Sequence, residues 1–206
     1  MGGREGRMMT NPFCCAVPRV GDEPVVLDMA TSAIAIGKVR VAQHKGAAVE
    51  DGALIDARGE PTNDPNVLFR EPLGTLGPFG KHKGYGLALM CELLGGALVG
   101  EWTAQPGHER TGTIVNHMLT IVIDPDAFGN RAAFQQEVAA MVAYLQSTMP
   151  AHGFDKVRVP GDPERESLAR REHEGIPIDA ASWHAIIDSA RQAGLADEEI
   201  TALTLA

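Results

Sequence analysis

The chain has 206 residues, 44% of them apolar, enough for a packed core in one medium domain or two small ones. A formal net charge of −9 argues against a nucleic-acid groove or an anionic membrane surface as the main partner. No apolar stretch is long enough to cross a bilayer, and the three cysteines, two of them adjacent, form neither a disulfide framework nor a metal-ligand spacing.

Residues 1–9 are charged and glycine-rich with no apolar core behind them, unlike a secretory signal. A reduced cytoplasmic protein is therefore the expectation. Phe13 to Val17 and Val25 to Leu27 are short β-type runs separated by the turn-rich stretch 18–24, which predicts an antiparallel pair. Asp28 closes the second run. Thr31 or Ser32 is placed to cap a helix reaching about His44, with Gly46 as its stop. Residues 47–80, rich in Gly, Pro, Asp and Asn, read as a long irregular excursion over the surface, a form that is often functional.

Next comes Gly80-Lys81-His82-Lys83-Gly84-Tyr85-Gly86 and an apolar run from Leu87 to Val99. The run carries one charge, Glu92, and is apolar on every helical face, which predicts a helix inside a domain. Gly95 and Gly96 each cost about 1 kcal/mol relative to Ala, so another backbone should pack closely there. Lys81, His82 and Lys83 stand where the helix dipole is already positive. An anion resting on free N–H groups would relieve that conflict; equally, the two lysines could belong to a solvated loop. A further loop spans 101–116. His117 to Ile123 reads as a largely buried strand ending at Asp124-Pro125. Arg131 to Met149 is amphipathic, with Phe134, Val138, Met141, Val142 and Leu145 on one face. Val157 and Val159 flank an extended piece ending at Pro160-Gly161, and Asp162-Pro163 opens another helix. The last helices are expected over about 179–193, stopped by Gly194, and from Asp197 onward.

Among the carboxylates, Asp28 has two readings: a ligand for a ribose or proton donor at a strand end, or a cap for the following helix. No two histidines have the spacing of a metal pair. The Rossmann fingerprint fails, because Gly84-x-Gly86 lacks a third glycine and follows a loop. Neither a P-loop nor a nucleophile elbow occurs.

Several blocks in one order carry a resemblance. They are Thr10-Asn11-Pro12, Val25 to Ser32, Gly37-Lys38-Val39-Arg40, Gly59-x-Pro-Thr-x-Asp-Pro65, Lys81 to Gly86 with its apolar helix, Asn116-His117, and Arg158-Val-Pro-Gly161 with the closing helices. Together they resemble the malate/L-lactate dehydrogenase family of NAD(P)-dependent oxidoreductases, which is unrelated to the Rossmann dehydrogenases. The resemblance implies an α/β fold, a mixed sheet flanked by helices (a non-Rossmann cofactor domain), with a C-terminal helical segment. It implies an NAD(P)-binding domain over 1–150 and a helical segment of the substrate domain over 151–206. The implied chemistry is hydride transfer between NAD or NADP and a small 2-hydroxy/2-oxo or cyclic imino acid, in a homodimer, with no nucleic acid, membrane or metal partner. Pro24, Val25, Val26, Leu27, Asp28, Met29, Ala30, Thr31 and Ser32 would line the dinucleotide. His82 and Lys83 would meet its phosphates, and Gly161, Asp162 and Pro163 would close over its other side. Asp28 would be a catalytic-site carboxylate near the nicotinamide, and Thr113, in the loop 111–116, would touch substrate. Two departures stand out. Family members commonly show Gly-His-Glu where this chain has Gly161-Asp162-Pro163, and their upstream His-Phe-Gly block, whose histidine is the acid/base, has no counterpart here. The expectation is a truncated enzyme; the alternative is an inactive remnant keeping fold, dimerisation and nucleotide affinity. Lys38, Arg40 and Lys81 are the candidates to recognise a 2′-phosphate.

Overall fold

The computed structural model describes residues 2–108 and 116–204. Its first element is a hairpin: β1 (Phe13–Arg19) and β2 (Asp22–Met29) pair antiparallel, with Cys14 opposite Asp28 and Val17 opposite Val25. The strands run further into 18–24 than their apolar patterning predicts, because Gly21, at φ +68°, closes a tight turn with Val20. Pro18 and Pro24 fall at a break in register between Val17 and Arg19, where a missing N–H removes no ladder bond.

Thr31 and Ser32 do not cap the next helix. Thr31 is 1% exposed, and its N–H and hydroxyl both donate to the Thr10 carbonyl at 2.8 Å; Ser32 forms a β-bridge with Pro78. These residues tie a crossing of the chain, so α1 (Ile36–His44) begins only after Ala35, without a side-chain cap. Asp28 is likewise too far upstream to cap it. The helix stop is as expected: Gly46 takes φ +63°, its N–H bonds Gln43, and the Ala47 N–H bonds Ala42, a Schellman motif. The excursion 47–80 is more ordered than its composition suggests. It holds the strands β3 (Leu54–Ile55), β4 (Pro61–Thr62) and β5 (Thr75–Leu76), antiparallel in the order β4-β3-β5, with Leu54 fully buried.

The helix α2 (His82–Cys91) passes into π-helical turns over Glu92–Leu98. The carboxylate of Glu92 explains why the run tolerates a charge there: it accepts from Asn11 Nδ2 at 2.8 Å and from the Ala104 N–H. Gly96 is required by a close backbone, since a Cβ there would lie 2.5 Å from the Trp102 carbonyl oxygen. Burial on all sides is corrected. Gly84 and Ala88 are buried, whereas Met90, Leu93, Leu94, Leu98 and Val99 are exposed, Leu98 by 68%. One face packs, and the other is only partly covered. His117 to Ile123 is corrected too: it forms no strand, and Val122 is 90% exposed. A strand apolar on both faces needs packing on both, and among the described residues no backbone group of 117–123 is hydrogen-bonded to another backbone group.

The helix α3 (Arg131–Gln146) is capped by Asn130 Oδ1, which accepts from the N–H groups of Ala132 and Ala133, and it packs against β1. Its buried stripe is narrower than the patterning implies, since Phe134, Val138 and Val142 point inward while Met141 and Leu145 stay exposed. Then follow α4 (Asp162–Glu174), α5 (Ala180–Gln192) and α6 (Asp197–Thr204). Asp179 caps α5 by accepting the Ser182 N–H, and Gly194, at φ +94°, stops it.

The architecture is therefore α/β and not Rossmann. Among the described residues the strands are all antiparallel and are apportioned to two small sheets, with six α-helices. Two compact units emerge, each built from non-consecutive segments. The first comprises Met1–Gly6, Ala33–Gly77 and Gly175–Ala206, and has α1, the three-stranded sheet, α5 and α6. The second comprises Arg7–Ser32 and Pro78–Glu174, and has the hairpin, α2, α3 and α4. A division at residue 150 follows chain order; these units share the C-terminal helices between them.

Candidate functional site

Alternate residues of an antiparallel strand turn their N–H and C=O groups toward the partner strand or away from it. In β2 the outward set contains Pro24, Val26 and Asp28, because the Val26 N–H leaves the hairpin and donates to the Pro160 carbonyl at 3.1 Å. Two residues earlier the Pro24 carbonyl accepts from Arg165 Nη1 at 3.0 Å. Two residues later, at Asp28, these contacts end. By the same alternation the Asp28 N–H and C=O point away from β1.

The segment that meets this edge is built around Asp162. One carboxylate oxygen accepts from Arg165 Nη2 at 2.6 Å and the other from the Val159 N–H at 2.9 Å. Gly161, at φ +99°, makes the bend into α4, and a Cβ there would press on the Arg165 guanidinium. Burial by itself would raise the Asp162 carboxyl; the Val159 amide and the Arg165 guanidinium outweigh it and hold the carboxyl below its usual 3.8. A depressed folded-state value means stability present above the unfolded value and lost as pH falls through the folded one. In Asp162→Asn a single oxygen cannot serve both donors. Urea unfolding should show a loss of about 1 kcal/mol near neutral pH, narrowing below about pH 4. A deficit independent of pH would mean the charge is irrelevant there.

Beyond this lock lies an open concavity of about 310 Å³, lined by Val26, Leu27 and Asp28 on one side and by Arg158 to Gly161, Pro163 and Glu164 on the other. Two stretches placed in one site by sequence resemblance, 24–28 and 161–163, thus share a wall across more than 130 residues of chain. The electrostatics are uneven. Arg158 is held through Nε by Glu166 at 2.9 Å and through Nη1 by Asp155 at 2.8 Å. Lys156 first, then Arg158, hold the Glu166 carboxyl below its usual range. Asp28 and Glu164 are exposed and take part in no side-chain hydrogen bond or ion pair among the described residues. The concavity therefore presents two open carboxylates and one neutralised guanidinium. It suits hydroxyl donors better than anions.

From Asp28 the chain leads through half-buried Met29 and Ala30 to Thr31, whose carbonyl accepts the Phe79 N–H at 3.1 Å. Gly84 allows the first turn of α2 to lie directly on this crossing, since a Cβ there would sit 2.6 Å from the Thr31 carbonyl oxygen. Val26 and the entrance of α2 are thus joined by five residues of chain, about 17 Å if extended. At that entrance Lys81 has φ +57°, and Lys81, His82 and Lys83 are all exposed. Of the amides at this entrance, the Lys83 N–H donates to Gly80 and the Gly84 N–H to Phe79. The entrance also offers side-chain charge. Because Thr31 and Ser32 are buried, their part is to fix the loop between the two ends. Thr113 lies outside the described residues.

Sequence reasoning missed Arg165 and the Asn11–Glu92 link. The only signals for them were an arginine one turn after Asp162 and the single charge in an apolar run.

A family model described as malate/L-lactate dehydrogenase matches residues 1–187. Hydroxycarboxylate dehydrogenase B of Escherichia coli (strain K12) is 46% identical over 203 residues, which is 97% of this chain and 55% of that protein. L-lactate dehydrogenase of Cupriavidus necator is 42% identical over 183 residues, 88% of this chain and 52% of that protein. A solved structure from E. coli matches with a TM-score of 0.90 at 44% identity, covering 98% of this chain and 57% of that one. The sulfolactate dehydrogenase structure from Methanocaldococcus jannaschii matches with a TM-score of 0.66 at 29% identity, covering 96% and 56%. The chain spans about half the length of the curated relatives it matches.

Proposed function

The chain belongs to the malate/L-lactate dehydrogenase family, and from that premise we propose that it carries the dinucleotide site of an NAD(P)-dependent dehydrogenase working as a homodimer on a small 2-hydroxy or 2-oxo acid. The observation that supports the reading is one track within the second unit, running from the concavity at Asp28 along 29–31 to the cationic entrance of α2. Its donor set suits a dinucleotide. The Asp28 carboxylate can accept from two ribose hydroxyls, its outward N–H and C=O can hold an amide, and Lys83 with His82 can pair with a pyrophosphate. Gly161 and Pro163 give a rigid opposite wall. Held by Asp28, His82 and Lys83, a nicotinamide dinucleotide would supply hydride transfer to or from the carbon bearing the acid's hydroxyl, with that hydroxyl's proton lost on oxidation. Of the cations weighed for a 2′-phosphate, Arg40 lies over the Phe69 ring at 5.3 Å and, with Lys38, belongs to the first unit. Lys81 shares the unit of the track, which makes it the cation whose loss should penalise NADPH more than NADH.

Titration with NADH and NADPH, followed by nicotinamide fluorescence, tests this reading. Asp28→Asn and Lys83→Ala should each weaken NADH binding about tenfold, the loss of one charge-assisted hydrogen bond. Identical curves for wild type and both variants would remove these residues from the site. A flat response from the wild type would remove the cofactor.

A further inference from the structure

Within the second unit, Gly84, Ala88 and Glu92 follow one another at intervals of four residues and so share one face of α2 and its continuation. At Gly84 that face lies on the Thr31 carbonyl, where a Cβ would come within 2.6 Å of the oxygen. One turn on, the Ala88 carbonyl accepts from Asn11 Nδ2 at 3.1 Å. A turn further, the Glu92 carboxylate accepts from the same nitrogen at 2.8 Å. The two supports are themselves joined, since the Thr31 N–H and hydroxyl both donate to the carbonyl of Thr10, the residue before Asn11. Asn11 suits this place in two ways. Its φ of +33° is in the left-handed region, which asparagine tolerates better than most residues. Its amide also brings two N–H groups to two acceptors, which a carboxylate of the same shape cannot do.

We propose that Asn11, paired with Glu92, is a positioning residue: it fixes α2 against the Thr10–Thr31 crossing and so sets where His82 and Lys83 stand relative to Asp28. Glu92 is a firm anchor, because its other oxygen accepts from the Ala104 N–H and the carboxylate cannot swing away without losing that bond. The helix then acts as a lever. Ten residues separate Glu92 from His82, about 15 Å of helix, so a tilt allowed at Asn11 is carried to the cationic entrance. At that end only the close contact of Gly84 with Thr31 and Phe79 opposes it. The effect on cofactor binding rests on the dinucleotide reading above; the placement of α2 does not.

Hydrogen exchange read by mass spectrometry, run beside NADH titration, tests both parts. Asn11→Gly suits the backbone and removes the amide; Asn11→Asp sets a second carboxylate against Glu92. Asn11→Asp combined with Glu92→Gln restores the pair with donor and acceptor exchanged, and the Gln oxygen can still accept from Ala104. Val142→Ala, a buried truncation in α3 outside this network, shows what lost stability alone does. In both single variants the peptide 79–86 should exchange about tenfold faster relative to 131–146, and NADH should bind about tenfold more weakly. The double variant should return both to within about threefold of wild type, and Val142→Ala should leave the ratio of the two peptides unchanged. An unaltered ratio in both single variants, or the same shift in Val142→Ala, would overturn the placement. A shifted ratio with unchanged NADH affinity would overturn its link to the cofactor. A wild type silent to NADH would refute the dinucleotide reading, and the exchange ratios would still decide the placement.

Discussion

Gly84→Ala should cost about 3 kcal/mol of stability and abolish measurable NADH binding, although alanine is the better helix former by about 1 kcal/mol. The Cβ would lie 2.6 Å from the Thr31 carbonyl oxygen and 2.7 Å from the Phe79 nitrogen, with the Phe79 carbonyl oxygen nearer still. All three are backbone atoms, and they are tied to each other: Phe79 donates to Thr31, and Gly84 donates to Phe79. A crowded side chain could rotate away. Here relief means breaking those bonds or lifting α2 off the crossing, which moves the cationic entrance relative to Asp28. Gly86→Ala supplies the control, because it lies in the same helix and nothing stands within 4 Å of its Cβ. That variant should be neutral or stabilised by about 0.5–1 kcal/mol. Paired melting curves and NADH titrations decide it; equal behaviour of the two variants would mean that the close approach at 84 is unimportant.

Gly84 also marks what could be read from the sequence. Features decided within one turn of chain were legible: the stops at Gly46 and Gly194, the start of α4 at Asp162-Pro163, and the pairing of the two β-type runs. Each follows from a backbone preference that neighbouring residues cannot override. Gly95-Gly96 was legible as a close approach, but the Trp102 carbonyl that makes it was not. The glycines at the entrance of α2 were expected to admit a phosphate; Gly84, in the first turn, admits the backbone of Thr31 and Phe79, and both uses ask the same of the sequence. Thr31 misled for a related reason, since a hydroxyl suited to capping a helix bonds a distant carbonyl equally well. The meeting of β2 with 159–165 spans 141 residues between Pro24 and Arg165, and only the family resemblance put those stretches together. The largest misreading was burial. Apolar patterning over 87–99 and 117–123 states what those residues require, and it cannot state whether this chain provides it.

That unmet requirement bears on turnover. Oxidising a 2-hydroxy acid requires its hydroxyl proton to leave as the hydride does, and a positioned acid/base is worth about 10²–10⁴ in rate. None of the seven histidines and no lysine lines the concavity. The one cation there that could grip a substrate carboxylate, Arg158, is already held by Asp155 and Glu166. Asp28 and Glu164 remain as open carboxylates with no partner to orient them among the described residues. Assayed beside E. coli hydroxycarboxylate dehydrogenase B with lactate, malate or a bulkier 2-hydroxy acid, the 206-residue chain should therefore turn over at least 100-fold more slowly while still binding NADH. A rate within tenfold would show that this chain holds its own acid/base, and Asp28→Asn would then say whether Asp28 is that group.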